Sequence, residues 1–178
     1  MRLLAFAVIA EIPYDLAMGN GINFIANTNI FYTLFLGGTA ICLCERFKER
    51  RGWQTMAVIA SILPTVILAE ILSVDYGSMG VLLIYAIYAV KQKKRQLIAL
   101  GSFALLQFAP LATAYLIGFK FPLKYLIVIP TILATLPLIA SYNGKRGYAA
   151  KWLFYWFYPA HLAVLAVIAM MIYGFPWG

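Results

Sequence analysis

The 178-residue sequence predicts an all-α protein, a polytopic bundle of about seven transmembrane helices. Three observations carry that reading. Hydrophobic residues make up 64% of the chain and charged residues 11%, with a mean hydropathy of +0.87, which leaves too little polar surface for a soluble domain. The apolar residues fall in runs near the roughly 20 residues that a spanning helix needs. Lys and Arg gather in alternate connections between those runs.

The first span, 2–18, carries Glu11, Asp15 and Pro13, whose missing N–H frees the carbonyl of Ile9. Its opening also meets the minimum for a signal peptide, but the acids that follow at once fit a site better than a cleavage point. The second, 29–44, holds Gly37 and Gly38, which permit close approach of a neighbouring helix, and ends on Cys42 and Cys44. The third is 53–73 and the fourth 76–90; the second and fourth are short, which requires upright or partly re-entrant placement. The fifth, 97–119, and sixth, 121–141, show only hydrophobicity, and the seventh, 151–173, carries the only histidine. No repeat, linker or composition break divides the chain, so a single transmembrane domain, 1–178, is expected.

The connections ERFKERRG (45–52), KQKKRQ (91–96) and YNGKRGYAAK (142–151), with Arg2, hold nearly all the basic residues. The alternate connections GNGINFIANT (19–28) and SVDY (73–76) hold none, and FKFPLKY (119–125) only Lys120 and Lys124. Positive loops stay cytoplasmic, so the N-terminus is expected inside and the C-terminus outside. The net charge of +8 then belongs to short loops facing anionic lipid headgroups, and no nucleic-acid-reading motif accompanies it. Cys42 and Cys44 read as reduced packing residues, and a single His excludes an ordinary metal site.

Glu45 and Glu49 lie in a basic loop, whereas Glu11, Asp15, Glu70 and Asp75 all fall in the outer half of the predicted bundle. Acids at membrane depth face the bundle interior or water. Glu11 and Asp15 are spaced i, i+4 and share one helix face, which suits the lining of a polar cavity. Asp75 has two readings, an N-cap for the helix opening at Tyr76 or a member of that cavity; Glu70 has two also, a snorkelling acid or a supporting group. His161 lies ten residues beyond Lys151, near mid-membrane, with Tyr158 one turn away and Pro159 freeing the carbonyl of Tyr155. It reads either as a buried imidazole held by a backbone carbonyl or as a general base.

The blocks AEIPYDLA (10–17), NIFYTLFLG (29–37), AEILSVDYGSMGVLLIYAIY (69–88) and YNGKRGYAAKWLFYWFYPAHLAVL (142–165) together resemble the TraX family. That family is named for the conjugative F-pilin N-acetyltransferase and is similar to the acyltransferase 3 superfamily. The resemblance runs end to end, with spans five and six matching only in hydrophobicity. It implies a multi-pass protein of the bacterial inner membrane, with Tyr142 to Gly147 and Tyr158 to Leu162 as functional segments and E-I-P-x-D and D-Y-G, including Tyr76, supporting them. Family members begin with additional spans upstream of the position of Met1, one bearing an acid beside a His, so a shortened member is expected.

Joined to the residue chemistry, the resemblance implies transfer of an acetyl group from acetyl-CoA to an acceptor such as a pilin N-terminal amine. Lys145 and Arg146, set among Asn143, Gly144 and Gly147, suit the donor phosphates, because glycine lets the backbone approach and Arg pairs bidentately. His161 would take the acceptor proton, with Tyr158 beside it and Glu11 and Asp15 receiving the acceptor. KQKKRQ, without glycine, reads as an orientation signal. Two other classes remain: a catalytically inactive scaffold or remnant, and a proton-coupled transporter, for which inverted repeats are expected and none is found.

Overall fold

Over the described residues, each apolar run is helical. The computed structural model describes residues 2–19, 24, 27–48, 54–117, 134–145 and 147–174. These form α1 (Arg2–Met18), α2 (Ile30–Lys48), α3 (Gln54–Ile71), α4 (Gly77–Ala89), α5 (Lys93–Leu116), α6 (134–141) and α7 (Lys151–Tyr173), with no strand among the described residues. The all-α class stands. Only α2 and α7, among the described residues, are long and apolar enough to cross a membrane. The apolar helix α4 is 13 residues long, about 20 Å, short of a roughly 30 Å hydrocarbon core.

Helix ends move where basic and polar helix formers extend a run. α2 continues through Glu45 to Lys48, so it is longer than the expected 29–44, and Arg46 and Lys48 in its last turn complement the negative end of the helix dipole. α5 starts at Lys93 and absorbs part of the basic run expected to be loop. Prolines do not end their helices: α1, α3 and α7 continue through Pro13, Pro64 and Pro159. Around Pro64, Ser61 Oγ bonds the Val58 carbonyl at 2.9 Å and Thr65 Oγ1 bonds the Ile62 carbonyl at 2.8 Å, so the hydroxyls are satisfied inside the helix.

The chain divides into two compact units, Met1–Tyr85 with Tyr148–Gly178, and Ala86–Gly147. In the first, α1 packs against both α7 and α2, and α2 against α3. The core is aromatic on the α1–α7 side: Phe6 stacks on Tyr155 at 4.9 Å between centroids and meets Trp156 edge-on at 5.2 Å, while Phe31 meets Tyr158 edge-on at 5.0 Å. α4 closes on α2, where the Sγ of buried Cys44 lies 2.9 Å from the Tyr85 hydroxyl. The opposite flank of α7 is exposed and apolar, with Phe154, Phe157 and Met171 uncovered.

In the second unit α5 passes α6 where a Cβ on Gly101 would lie 3.6 Å from Leu136. Lys93 Nζ donates to the carbonyls of Ala140 at 2.5 Å and Tyr142 at 2.6 Å, which caps the end of α6. Lys93 of KQKKRQ therefore anchors the start of the Y-N-G-K-R-G segment.

The glycine pair on α2 divides its work. A Cβ on Gly37 would come within 2.7 to 2.9 Å of three Ile84 side-chain atoms, including its Cβ, whereas nothing lies within 4 Å of one on Gly38. Gly37→Ala is expected to cost about 1–3 kcal/mol by overpacking. Gly38→Ala is expected to be neutral or to stabilise by up to about 1 kcal/mol through helix propensity. Thermal unfolding of the two variants in detergent checks the contrast, and equal melting temperatures would contradict it.

Candidate functional site

The polar groups of the first unit converge where α1, the start of α2, the α3–α4 turn and the middle of α7 meet. Glu11 and Asp15 are fully buried on α1, at 0% and 1% exposure, as their i, i+4 spacing requires of a shared inward face. Asn29 stands opposite, also fully buried, one residue before α2. Its Oδ1 accepts the N–H of Phe31 at 2.9 Å, which is N-capping geometry. Its Nδ2 donates to the carbonyl of Ala7 at 2.7 Å and to Glu11 Oε2, and its backbone N–H reaches the same Oε2 at 3.3 Å. One amide thus caps α2, holds α1 and satisfies half of a buried carboxylate. Glu11 Oε1 and Thr28 Oγ1 find no protein partner among the described residues.

The α3–α4 turn is tied to the same point. The Asp75 N–H donates to the Thr28 carbonyl at 2.9 Å, and the Thr33 hydroxyl donates to the Asp75 carbonyl. Positive φ at Asn27 (56°), Ser73 (45°) and Tyr76 (65°) concentrates left-handed backbone at this meeting of loops, costly for non-glycine residues and held by the surrounding bonds. Burial holds the Asp75 carboxyl above its ordinary pKa, opposed by the N–H of Tyr76. Tyr14, between the two α1 acids, lies within electrostatic reach of Asp75, Glu11, Asp15 and Tyr76.

From α7, Tyr158 enters the cluster. Its hydroxyl lies near the backbone N–H of Ile30 and within electrostatic reach of Asp75, Tyr14 and Glu11. His161, one turn on, packs edge-on against Tyr158 at 5.4 Å and stacks on Phe157 at 5.2 Å. Its Nδ1 lies 3.0 Å from the Phe157 carbonyl, not from the Tyr155 carbonyl that Pro159 frees. A carbonyl only accepts, so Nδ1 carries the proton in that bond and Nε2 keeps its lone pair.

Glu11, Asp15, Asp75 and Tyr158 are therefore gathered in one place, with His161 against Tyr158. Glu70 is not in the cluster: exposed, it accepts the N–H of Ser78 at 2.9 Å and caps α4, a role expected of Asp75. Tyr76 is half exposed beside the turn. The segment Asn143, Gly144, Lys145, Gly147 belongs to the second unit and is exposed; Arg146 lies outside the described residues. There Lys145 N–H donates to Asn143 Oδ1 at 2.9 Å, Tyr142 Oη donates to the Lys145 carbonyl at 3.0 Å, and Gly144 takes φ 75°, so the glycine serves a tight turn. No group of three or more His, Cys, Asp and Glu side chains among the described residues is placed to hold a metal.

The sequence reading missed Asn29, Tyr14 and Thr28. Asn29 had a signal, a capping residue directly before an apolar run, but nothing in the sequence pairs it with an acid eighteen residues earlier. A family model described as TraX protein matches residues 1–169. The chain belongs to the TraX family. The match takes in every element of the cluster, from Glu11 on α1 to His161 on α7. No curated protein and no solved structure matches the chain.

The roles of Glu70 and Asp75 separate in stability measurements. Glu70→Ala removes the α4 cap and is expected to lower the melting temperature while keeping the pH dependence that Asp75 sets. Asp75→Asn removes a half-buried charge whose folded pKa is raised. A raised pKa means that the folded state binds the proton more tightly, so wild-type stability grows on acidification and falls as pH rises through the folded value. The Asn variant is expected to lose that slope and to equal or exceed the wild type at neutral pH in detergent melts. A wild-type profile that is flat, or one that slopes the other way, would contradict the assignment.

Proposed function

We propose that this TraX protein is a multi-pass protein of the bacterial inner membrane that transfers an acetyl group from acetyl-CoA to an amine, with a pilin N-terminus as the acceptor class. Family membership points to a pilin-modifying, conjugation-related role. The observation that carries the chemistry is the His161 ring: its Nδ1–H is committed to the Phe157 carbonyl, which leaves Nε2 as a base on a ring packed against Tyr158, and Tyr158 in turn lies within electrostatic reach of Asp75 and Glu11.

In this reading the acceptor nitrogen attacks the thioester carbonyl, the C–N bond forms and the C–S bond breaks. His161 Nε2 takes the proton from the attacking amine and returns one to the departing CoA sulfur, so products are an amide and a free thiol. Glu11 Oε1, an acceptor without a donor among the described residues, is suited to hold an amine N–H, with Asp15 and Tyr158 within electrostatic reach. Lys145 and Arg146 are assigned the donor phosphates, and Glu70, Asp75 and Tyr76 the support of the cluster.

The membrane arrangement follows the same reading: seven spans, N-terminus inside, C-terminus outside. Contacts along α1 and α7 support it, since Phe6 meets Tyr155 and Tyr14 neighbours Tyr158, an order that makes the two helices parallel as first and seventh spans must be. The exposed apolar flank of α7 suits lipid.

With radiolabelled acetyl-CoA and an amine-bearing pilin peptide, His161→Gln is expected to lower transfer by about 10²–10⁴-fold while the fold is kept, since the amide bonds but has no basic nitrogen. Full activity in that variant would remove the base, and absence of transfer by the wild type would favour the scaffold reading. For sidedness, single cysteines replacing Lys94 and Lys145 in a Cys42-free background should be shielded from an impermeant thiol reagent in intact cells, and one replacing Asn23 labelled. Lys94 is the informative position, because Lys93 holds α6. Labelling at Lys94 without lysis would overturn the orientation.

A further inference from the structure

At the other end of the first unit from the polar cluster, the start of α1, the last three turns of α2 and the first turns of α7 leave an open groove of about 820 Å³. Arg2 and Arg46 stand at its mouth, and Leu3, Phe35, Leu43 and Tyr155 line it further in. From Arg46 to Phe35 is eleven residues of helix, so the groove runs about 16 Å inward from its charged end. Gly38 contributes to its wall, which explains why a Cβ there would meet nothing.

Its charge is available. Glu45 also borders the groove, but Lys48 Nζ pairs with its carboxylate at 3.3 Å. No carboxylate among the described residues lies within salt-bridge distance of Arg2 or Arg46; Arg2 instead rests over the Trp152 ring at 5.9 Å. Two guanidinium groups at one end of a mostly apolar channel complement a ligand with an anionic head and a hydrocarbon tail. The lining offers few partners for the amides of a pantetheine arm, whereas an acyl chain asks for none.

We propose that this groove is a binding site for an anionic phospholipid of the inner leaflet, with its phosphate between Arg2 and Arg46 and one acyl chain along Phe35, Leu43 and Tyr155. The site is separate from the acetyl-transfer cluster and rests only on the inward placement of the α2 C-terminus, which cysteine labelling tests by itself. It gives the first unit a specific lipid where loop charge alone gives only general attraction.

The chain supplies its own probe. Cys42 lines the groove and is exposed, whereas Cys44 is buried against Tyr85, so a maleimide in non-ionic detergent reads mainly Cys42. Adding phosphatidylglycerol is expected to slow Cys42 labelling severalfold, and phosphatidylcholine of the same chains to leave it nearly unchanged. Arg2→Gln/Arg46→Gln should lose the protection. Should that pair fold poorly, Leu43→Trp, which keeps both arginines and fills the floor, is expected to abolish it as well. Equal protection by both lipids, or none by either, would overturn the assignment. Protection by acetyl-CoA and not by phosphatidylglycerol would hand the groove to the acetyl donor, again overturning it.

Discussion

The arrangement of the first unit depends on how a buried carboxylate is satisfied. Glu11 is wholly enclosed, and an enclosed carboxylate without donors costs several kcal/mol. Asn29 supplies two donors to one oxygen while its own carbonyl oxygen caps α2 and its second amide hydrogen binds the Ala7 carbonyl. The result fixes the start of one helix against the middle of another through amide donors. Once Asn29 is fixed, Thr28 offers its carbonyl to Asp75, Phe31 meets Tyr158 edge-on, and the α3–α4 turn and α7 are brought to the same place.

This geometry gives the acids of α1 and of the α3–α4 turn a common neighbourhood. Glu11 and Asp15 share one face of α1, Tyr14 and Tyr158 lie within electrostatic reach of both Glu11 and Asp75, and Phe6, Phe31 and Tyr155 pack together in the same unit. His161 stands at the edge of the cluster, with one nitrogen held by its own helix and the other left to act. Of the two readings of that histidine, the hold by a backbone carbonyl is observed, on a half-buried ring, and the base role belongs to the proposed function.

Much of the helical layout was legible because apolar run length and loop charge are local signals. The starts of α1 and α7 fall where expected, and α3 and α4 within two residues of expectation. The ends of α2 and α5 were not legible, since Arg, Lys and Glu are good helix formers that look like loop when hydrophobicity alone sets the boundary. The i, i+4 pair and the nearness of α1 to α7 could be argued from spacing and depth. The partner of Glu11, the capping role of Glu70 and the hold of Lys93 on α6 could not, because each is a side chain meeting backbone or amide across a connection between elements, with no periodic trace.

The central claim is that Glu11 and Asn29 act as a unit, and a double-mutant cycle between them tests it most directly. Glu11→Gln, Asn29→Ala and the pair would be unfolded thermally in one detergent. Asn29→Ala leaves the carboxylate with the backbone N–H alone and uncaps α2, which is expected to cost about 2–4 kcal/mol, whereas the pair should recover part of that, with a coupling of about 1–3 kcal/mol. Strictly additive effects, or an Asn29→Ala variant as stable as the wild type, would contradict the account.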